Sequence, residues 1–250
     1  QHEADMGVIF DTDVDRSALV DRKGDTLNRN NLIAVISAIL IKENPNTTIV
    51  TSSATSEHLK TFITSLGGKQ DRYITGYRNV INRAIQLNKE GVQTSLAIET
   101  SGHAALQENY FLDDGAYLVA KILMADANLK KEGKDFSDLI TTLKQPVETD
   151  EVRFKILPED IQATGKKVME DFSRFIENET DLSIEPANLE GVRVNTSGQY
   201  GAGWMLLRMS LHEPLLVLNF ESDQAGSIKK LRETIKDFFY EQVDLDSSRL

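Results

Sequence analysis

Asp11, Asp13 and Asp15 stand at every second position, with Arg16 directly behind them. Carboxylates at this spacing share one face of a strand, and in a tight loop they can turn inward on one point. Left unpaired they repel, each raising the cost of ionising the next. A hard divalent cation removes that cost, and Mg²⁺ favours oxygen ligands together with an oxygen from a phosphate. The planar fork of Arg16 suits the same phosphate, which it grips with two hydrogen bonds. The pattern points to a Mg²⁺–phosphate site at the end of a strand. A solvated acidic turn is the other reading of the same residues.

The elements that must hold this loop follow from the hydrophobic pattern. Val8, Ile9 and Phe10 predict a short buried strand leading into it. Residues 17–20 resume as a strand, and 21–25 read as a hairpin turn. Asn30 or Asn31 is expected to cap a helix carrying Leu32, Val35, Ile36, Ile39 and Leu40 at the helical period. Strands are expected at 48–51, 71–74 and 95–98, with helices at 56–66, 77–89 and 115–130. Gly67-Gly68 and Gly91 end the first two of these helices. Strand, loop and helix in alternation predict a layered α/β domain with a mainly parallel sheet over residues 1–130. In such sheets ligands bind at the carboxyl ends of the strands. The acidic loop, Ser52-Ser53, Gly76-Tyr77-Arg78 and the segment from Glu99 to His103 are all expected there.

Residues 131–150 read as a linker containing one more helix at 136–143, broken by Pro146. Beyond it, 151–250 predict a smaller α+β domain. Its strand at 152–156 is followed by a helix at 159–176, with Pro158 at its entrance. Strands at 191–195, 204–208 and 215–221 and a last helix at 225–241 complete it.

Composition narrows the function. The 250 residues carry a formal net charge of −11 and no basic cluster, which disfavours a nucleic-acid partner. There is no cysteine, so disulfides, thiolate catalysis and Cys-ligated zinc are excluded. No apolar run approaches the ~18 residues of a membrane span, no signal peptide is evident, and a cytoplasmic location is expected. The opening Gln1-His2-Glu3, without methionine, suggests a piece of a longer chain.

Three segments in order resemble one family. The segment from Phe10 to Arg16 (FDTDVDR) is similar to the magnesium loop of the α-D-phosphohexomutases. Glu99-Thr100-Ser101-Gly102-His103 resembles that family's sugar-specificity loop. The segment from Arg208 to Pro214 (RMSLHEP) resembles the phosphate loop of its last domain. Thr75-Gly76-Tyr77-Arg78 is similar to the family's Thr-Gly-Phe-Lys element. Met209, Leu211 and His212 depart from the commoner Pro, Gly and Thr. The resemblance covers nearly the whole chain but only the last two of the family's four domains. The phosphoserine pattern Thr-Ala-Ser-His-Asn-Pro is missing.

The resemblance implies phosphoryl transfer between the 1- and 6-positions of a glucose or mannose phosphate, through a phosphoserine. Asp11, Asp13 and Asp15 would hold Mg²⁺. Arg16 would neutralise the group in flight, and His103 would assist proton movement. Glu99, Ser101 and Arg78 would meet the sugar phosphate. Arg208, Ser210 and His212 would hold the phosphate that is not transferred. The family's upstream domains 1 and 2 would be partners of this piece, which alone is expected to be inactive. A haloacid-dehalogenase-type phosphatase, with Asp11 as nucleophile and Asp113-Asp114 as acidic pair, is one alternative. A sugar-phosphate-binding module without catalysis is the other.

Overall fold

The computed structural model describes residues 4–211 and 213–248. The chain divides into two compact units, Gln1–Lys144 and Gln145–Leu250.

The first unit opens with β1 (Met6–Phe10), β2 (Ser17–Asp21) and β3 (Thr26–Leu27), an antiparallel sheet in chain order. There follow α1 (Arg29–Glu43), β4 (Thr48–Ser52), α2 (Glu57–Ser65), β5 (Lys69–Tyr73), α3 (Tyr77–Lys89), β6 (Thr94–Ile98), β7 (Ala104–Leu106) and α4 (Gly115–Leu129). A second sheet has the order β5-β4-β6-β7. Its first three strands are parallel, joined by helical crossovers, whereas β7 returns antiparallel to β6. Only five residues separate β6 from β7, too few for a parallel crossover. They are closed by Glu99 N–H to His103 O at 3.0 Å and Gly102 N–H to Glu99 O at 3.1 Å.

Three expectations change here. The acidic loop does not end a strand of the parallel sheet; it is the turn of the separate β1–β2 hairpin. β1 is not buried either, since Ile9 is 61% exposed and Val8 and Phe10 are exposed beside it. β1 pairs only with β2, and it is β2 that turns Ser17, Leu19 and Asp21 inward. Asn28 rather than Asn30 or Asn31 stands at the N-cap position of α1, without a side-chain capping bond. Asn30 is engaged elsewhere, its Oδ1 accepting from Ser56 N–H at 3.2 Å.

α1 is the buried middle of this unit. Every residue from Leu32 to Ser37 on it is buried, and the core extends from it to Leu19 and Leu27 of the hairpin, Ile49 of β4 and Ile98 of β6. A continuous apolar surface therefore joins the hairpin to the layered sheet. A 3-10 turn at Phe136–Ile140 puts Phe136 into the same core at 1% exposure, and Asp126 Oδ1 accepts its N–H at 3.0 Å.

The second unit comprises β8 (Glu148–Ile156), α5 (Ile161–Ile176), β9 (Leu182–Ile184), β10 (Val192–Thr196), β11 (Gly203–Met209), β12 (Leu215–Ser222), α6 (Ser227–Glu241) and β13 (Leu245–Asp246). Its sheet is antiparallel, in the order β13-β8-β12-β11-β10-β9. α5 and α6 pack on one face through Phe172 and Phe239, with Phe239 stacked on Phe154 at 4.3 Å. α5 begins two residues later than expected because Asp160 caps it, accepting from Ala163 N–H at 3.0 Å. Among the described residues, no helix is long and apolar enough to cross a membrane.

Candidate active site

The β1–β2 turn is a six-residue loop bent sharply enough to hold Val14 at φ 65°, a costly conformation for a β-branched residue. Two distant segments brace it. Gly115, at the start of α4, donates its N–H to Val14 O at 3.1 Å, and a Cβ there would stand 2.9 Å from that oxygen. Gly102 lies at φ 103°, where a Cβ would meet Ser17 O at 2.7 Å. Arg16 and His103 form an antiparallel bridge alongside. Both glycines are needed for close backbone approach, so the loop after β6 and the loop before α4 clamp the acidic turn between them.

Within that turn, ligand oxygens of Asp11, Asp13 and Asp15 lie within 4.8 Å of one another. Asp11 Oδ2 accepts from Arg16 Nε at 2.6 Å, and its Oδ1 accepts from Arg16 N–H at 3.2 Å. Desolvation opposes ionisation of Asp11, but the bonds and charge of Arg16 outweigh it and hold the carboxyl at about 2. Asp15 shifts the other way. Its desolvation comes first; His103 lowers the result, while Asp113, Asp13 and Asp11 raise it. Asp15 Oδ1 is buried with no hydrogen-bond partner. A buried anionic oxygen with no hydrogen bond, 3.8 Å from Arg16 Nε and among close carboxylates in an all-oxygen donor set, fits a hard divalent cation such as Mg²⁺.

Around this cluster the structure brings in residues from three other segments. His103 Nδ1 is 2.8 Å from Asp113 Oδ2 and 3.6 Å from Asp15 Oδ2. Burial works against protonation of His103, yet the Asp113 bond and charge, with Asp15 and Glu99, hold its pKa above the usual value. Its ring stacks on Tyr77 at a centroid distance of 4.9 Å. Glu99 is 6% exposed, and its Oε1 accepts from Gly76 N–H at 2.7 Å, tying the loop after β6 to the start of α3. Ser101 is exposed on the same loop. Arg78 is exposed too, with Nε donating to Tyr77 O–H at 3.0 Å.

Asp113 is the contributor that spacing did not single out for this site, whereas Tyr77 belongs to the 76–78 segment expected there. Asp113 stands ten residues beyond His103, across β7, and only the fold makes them neighbours. The Asp-Asp-Gly sequence before α4 is the signal that could have found it, because Asp114 caps the helix and leaves Asp113 facing inward.

In the second unit, β11 ends at Met209 and β12 begins at Leu215, so residues 210–214 form a hairpin loop. Ser210 N–H donates to Leu215 O at 2.8 Å, and Glu213 N–H donates to Ser210 Oγ at 3.3 Å. Among the described residues, Arg208 Nη1 donates to Met209 O at 3.4 Å, and its Nε is buried with no hydrogen-bond partner. His212 lies outside the described residues.

The first unit is thus a layered α/β domain with a braced carboxylate loop, and the second an antiparallel α+β domain with an arginine at a hairpin loop. Residues 28–146 match the family model for phosphoglucomutase/phosphomannomutase, alpha/beta/alpha domain III. The match includes the 75–78 and 99–103 segments and begins after the acidic loop. The chain is 30% identical over 233 residues to a phosphomannomutase/phosphoglucomutase of Pseudomonas syringae pv. tomato, covering 92% of this chain and 45% of that one. It is 27% identical over 248 residues to a phosphomannomutase of Methanocaldococcus jannaschii, covering 99% and 49%. A crystal structure of a phosphoglucomutase/phosphomannomutase family protein from Burkholderia thailandensis superposes with TM-score 0.73 at 22% identity, over 96% of this chain and 47% of that one. Residues 28–146 belong to the phosphoglucomutase/phosphomannomutase family as its alpha/beta/alpha domain III, and the chain resembles members of that family over nearly its full length. It spans about half the length of the curated relatives it matches.

Proposed function

We propose that this chain carries the metal-binding and sugar-phosphate-binding part of a phosphohexomutase acting on glucose or mannose phosphate. The observation that carries the reading is the braced cluster of Asp11, Asp13 and Asp15, with its buried oxygen lacking a hydrogen bond, beside Arg16 and the Glu99–His103 loop. Asp11, Asp13 and Asp15 would hold Mg²⁺, which supplies charge neutralisation for a transferring phosphoryl group. Arg16, already poised on Asp11, offers the remaining guanidinium donors to that group. His103 is held by Asp113 on one side and stacked on Tyr77 on the other, so one ring nitrogen is fixed and the other is left to exchange a proton with a sugar hydroxyl. Glu99, with Gly76 engaging one oxygen, and Ser101 provide acceptors for neighbouring hydroxyls. Arg208, Ser210 and His212 hold the second phosphate, and Arg78 lies within the sugar-phosphate side of the first unit. The phosphoserine donor belongs to domains upstream of these residues, so this chain alone binds but does not turn over.

The dehalogenase-type alternative loses its topological basis. Asp11 ends an outlying strand of an antiparallel hairpin, and Asp113 is committed to His103.

The test is calorimetric titration of the chain with glucose 6-phosphate, with and without Mg²⁺, beside a coupled mutase assay. Mg²⁺-assisted binding with no turnover is expected. Turnover by the chain with a trace of glucose 1,6-bisphosphate contradicts the division of labour, and absence of binding contradicts the site.

A further inference from the structure

The register of the second sheet places Arg208 on β11 opposite Val217 on β12, and Val217 opposite Arg153 on β8. Paired residues share a face, so both guanidiniums stand on the face turned away from the core residues Leu207, Leu216 and Phe154. Lys155 follows two positions along on the same face. Glu151 is placed among these cations. Its Oε1 accepts from Arg153 Nε at 2.8 Å, its Oε2 accepts from Asn219 Nδ2 at 2.9 Å, and it is electrostatically coupled to Arg208 as well.

Among the described residues, that leaves the terminal nitrogens of Arg153 with one looser partner. Nη1 lies 3.6 Å from Glu213 Oε2, both side chains being more than half exposed. Such an exposed pair is worth little and is readily exchanged. Arg153, Lys155, Glu213, Leu215 and Asp246 line a surface hollow of about 290 Å³ beside the 210–214 loop. The hollow is the size of a small-ligand subsite.

We propose that Arg153 is a second phosphate-binding arginine of this loop, with Glu213 as its resting counter-ion, released when phosphate binds. The inference rests on the reading of Arg208 and Ser210 as phosphate ligands and extends that site to another strand. Two arginines on the strands that flank β12 can grip a phosphate dianion from two sides, each through more than one N–H. Glu151 fixes the Nε edge of Arg153 and leaves the Nη edge directed to the loop. Glu213 then sets affinity by competition: it occupies the anion position when no phosphate is there.

Titrating the 250-residue chain with inorganic phosphate, then with glucose 6-phosphate, and following backbone amide shifts of residues 208–217 tests this. Circular dichroism checks that each variant is folded. Arg208→Gln is expected to abolish saturable binding, and Arg153→Gln to weaken it about five- to tenfold, as loss of one charge-assisted contact at an exposed site would. Glu213→Gln is expected to tighten binding a few-fold, a gain that a merely structural role for Glu213 would not give. If Arg153→Gln and Glu213→Gln leave affinity unchanged while Arg208→Gln removes it, the inference is wrong and the loop reading stands. If Arg208→Gln is also without effect, or the unaltered chain binds no phosphate, the loop reading itself fails.

Discussion

In the first unit, three carboxylates and a guanidinium are crowded into one hairpin turn, and backbone from two distant segments holds that turn in place. In the second, Arg208 on β11 and Arg153 on β8 stand on either side of β12 in one sheet, and Arg153 is restrained by side-chain ion pairs to Glu151 and Glu213. Like charges packed together require rigid bracing, because every carboxylate pushes the others away until a cation arrives. Arginines spaced by a sheet register need less bracing, because carboxylates already neutralise them. The first site is therefore built to be rigid and the second to exchange partners.

The largest effect is expected from breaking the brace. Gly102→Ala puts a Cβ 2.7 Å from Ser17 O at φ 103° and should cost about 1–3 kcal/mol of stability, as strained backbone does. It should also displace the acidic turn and abolish metal binding. Gly133→Ala, also at positive φ but with nothing within 4 Å, is the control and should leave metal binding intact. Denaturant melts and metal titrations read both. If the two variants behave alike, the brace is not what distinguishes the first unit.

Asp113→Asn is the next test. In metal-free buffer the His103 ring should titrate above its ordinary value, because the Asp113 bond and charge overcome the burial that favours the neutral form. A raised folded pKa means that this contribution to stability is present at low pH and fades as pH rises through the raised value. The variant should move the titration of the ring, followed by NMR, downward, and flatten that dependence. An unchanged His103 titration contradicts the coupling.

A smaller effect separates the units by acid. In the second unit Glu148 Oε1 and Oε2 accept from Gly226 and Ile228 N–H at 2.6 and 3.1 Å, and those bonds lower its pKa below the ordinary 4.5. The stabilisation is present above 4.5 and lost as pH falls through the folded value. Glu148→Gln should remove that slope from acid melts of the second unit while leaving metal binding in the first unchanged.

Much of this arrangement was readable from residue patterns. The helices at 57–65, 77–89 and 115–129 follow their apolar period and their Gly or Asp boundaries. The three acidic positions do converge, as their spacing suggested. The location of the turn was not legible. Val8, Ile9 and Phe10 read as a buried strand because sequence reports hydrophobicity and not the partner that would cover it. β7 escaped because it is three residues of alanine and leucine directly behind the 99–103 loop. The His103–Asp113 pair depends on that antiparallel return, so no local spacing announces it. The Arg153–Val217–Arg208 row likewise needs the register of three strands, two of them some 50 residues apart or more along the chain.

The claim on which the account rests is that Asp11, Asp13 and Asp15 form one cation site. Calorimetric titration of the chain with Mg²⁺ tests it most directly, with Asp13→Asn and Asp15→Asn beside Asp25→Asn, a change in the neighbouring β2–β3 turn. One ion per chain is expected, with binding at least about tenfold weaker in the first two variants, the scale of a lost carboxylate ligand, and unchanged in the third. Equal binding in all three variants, or none in the unaltered chain, contradicts it.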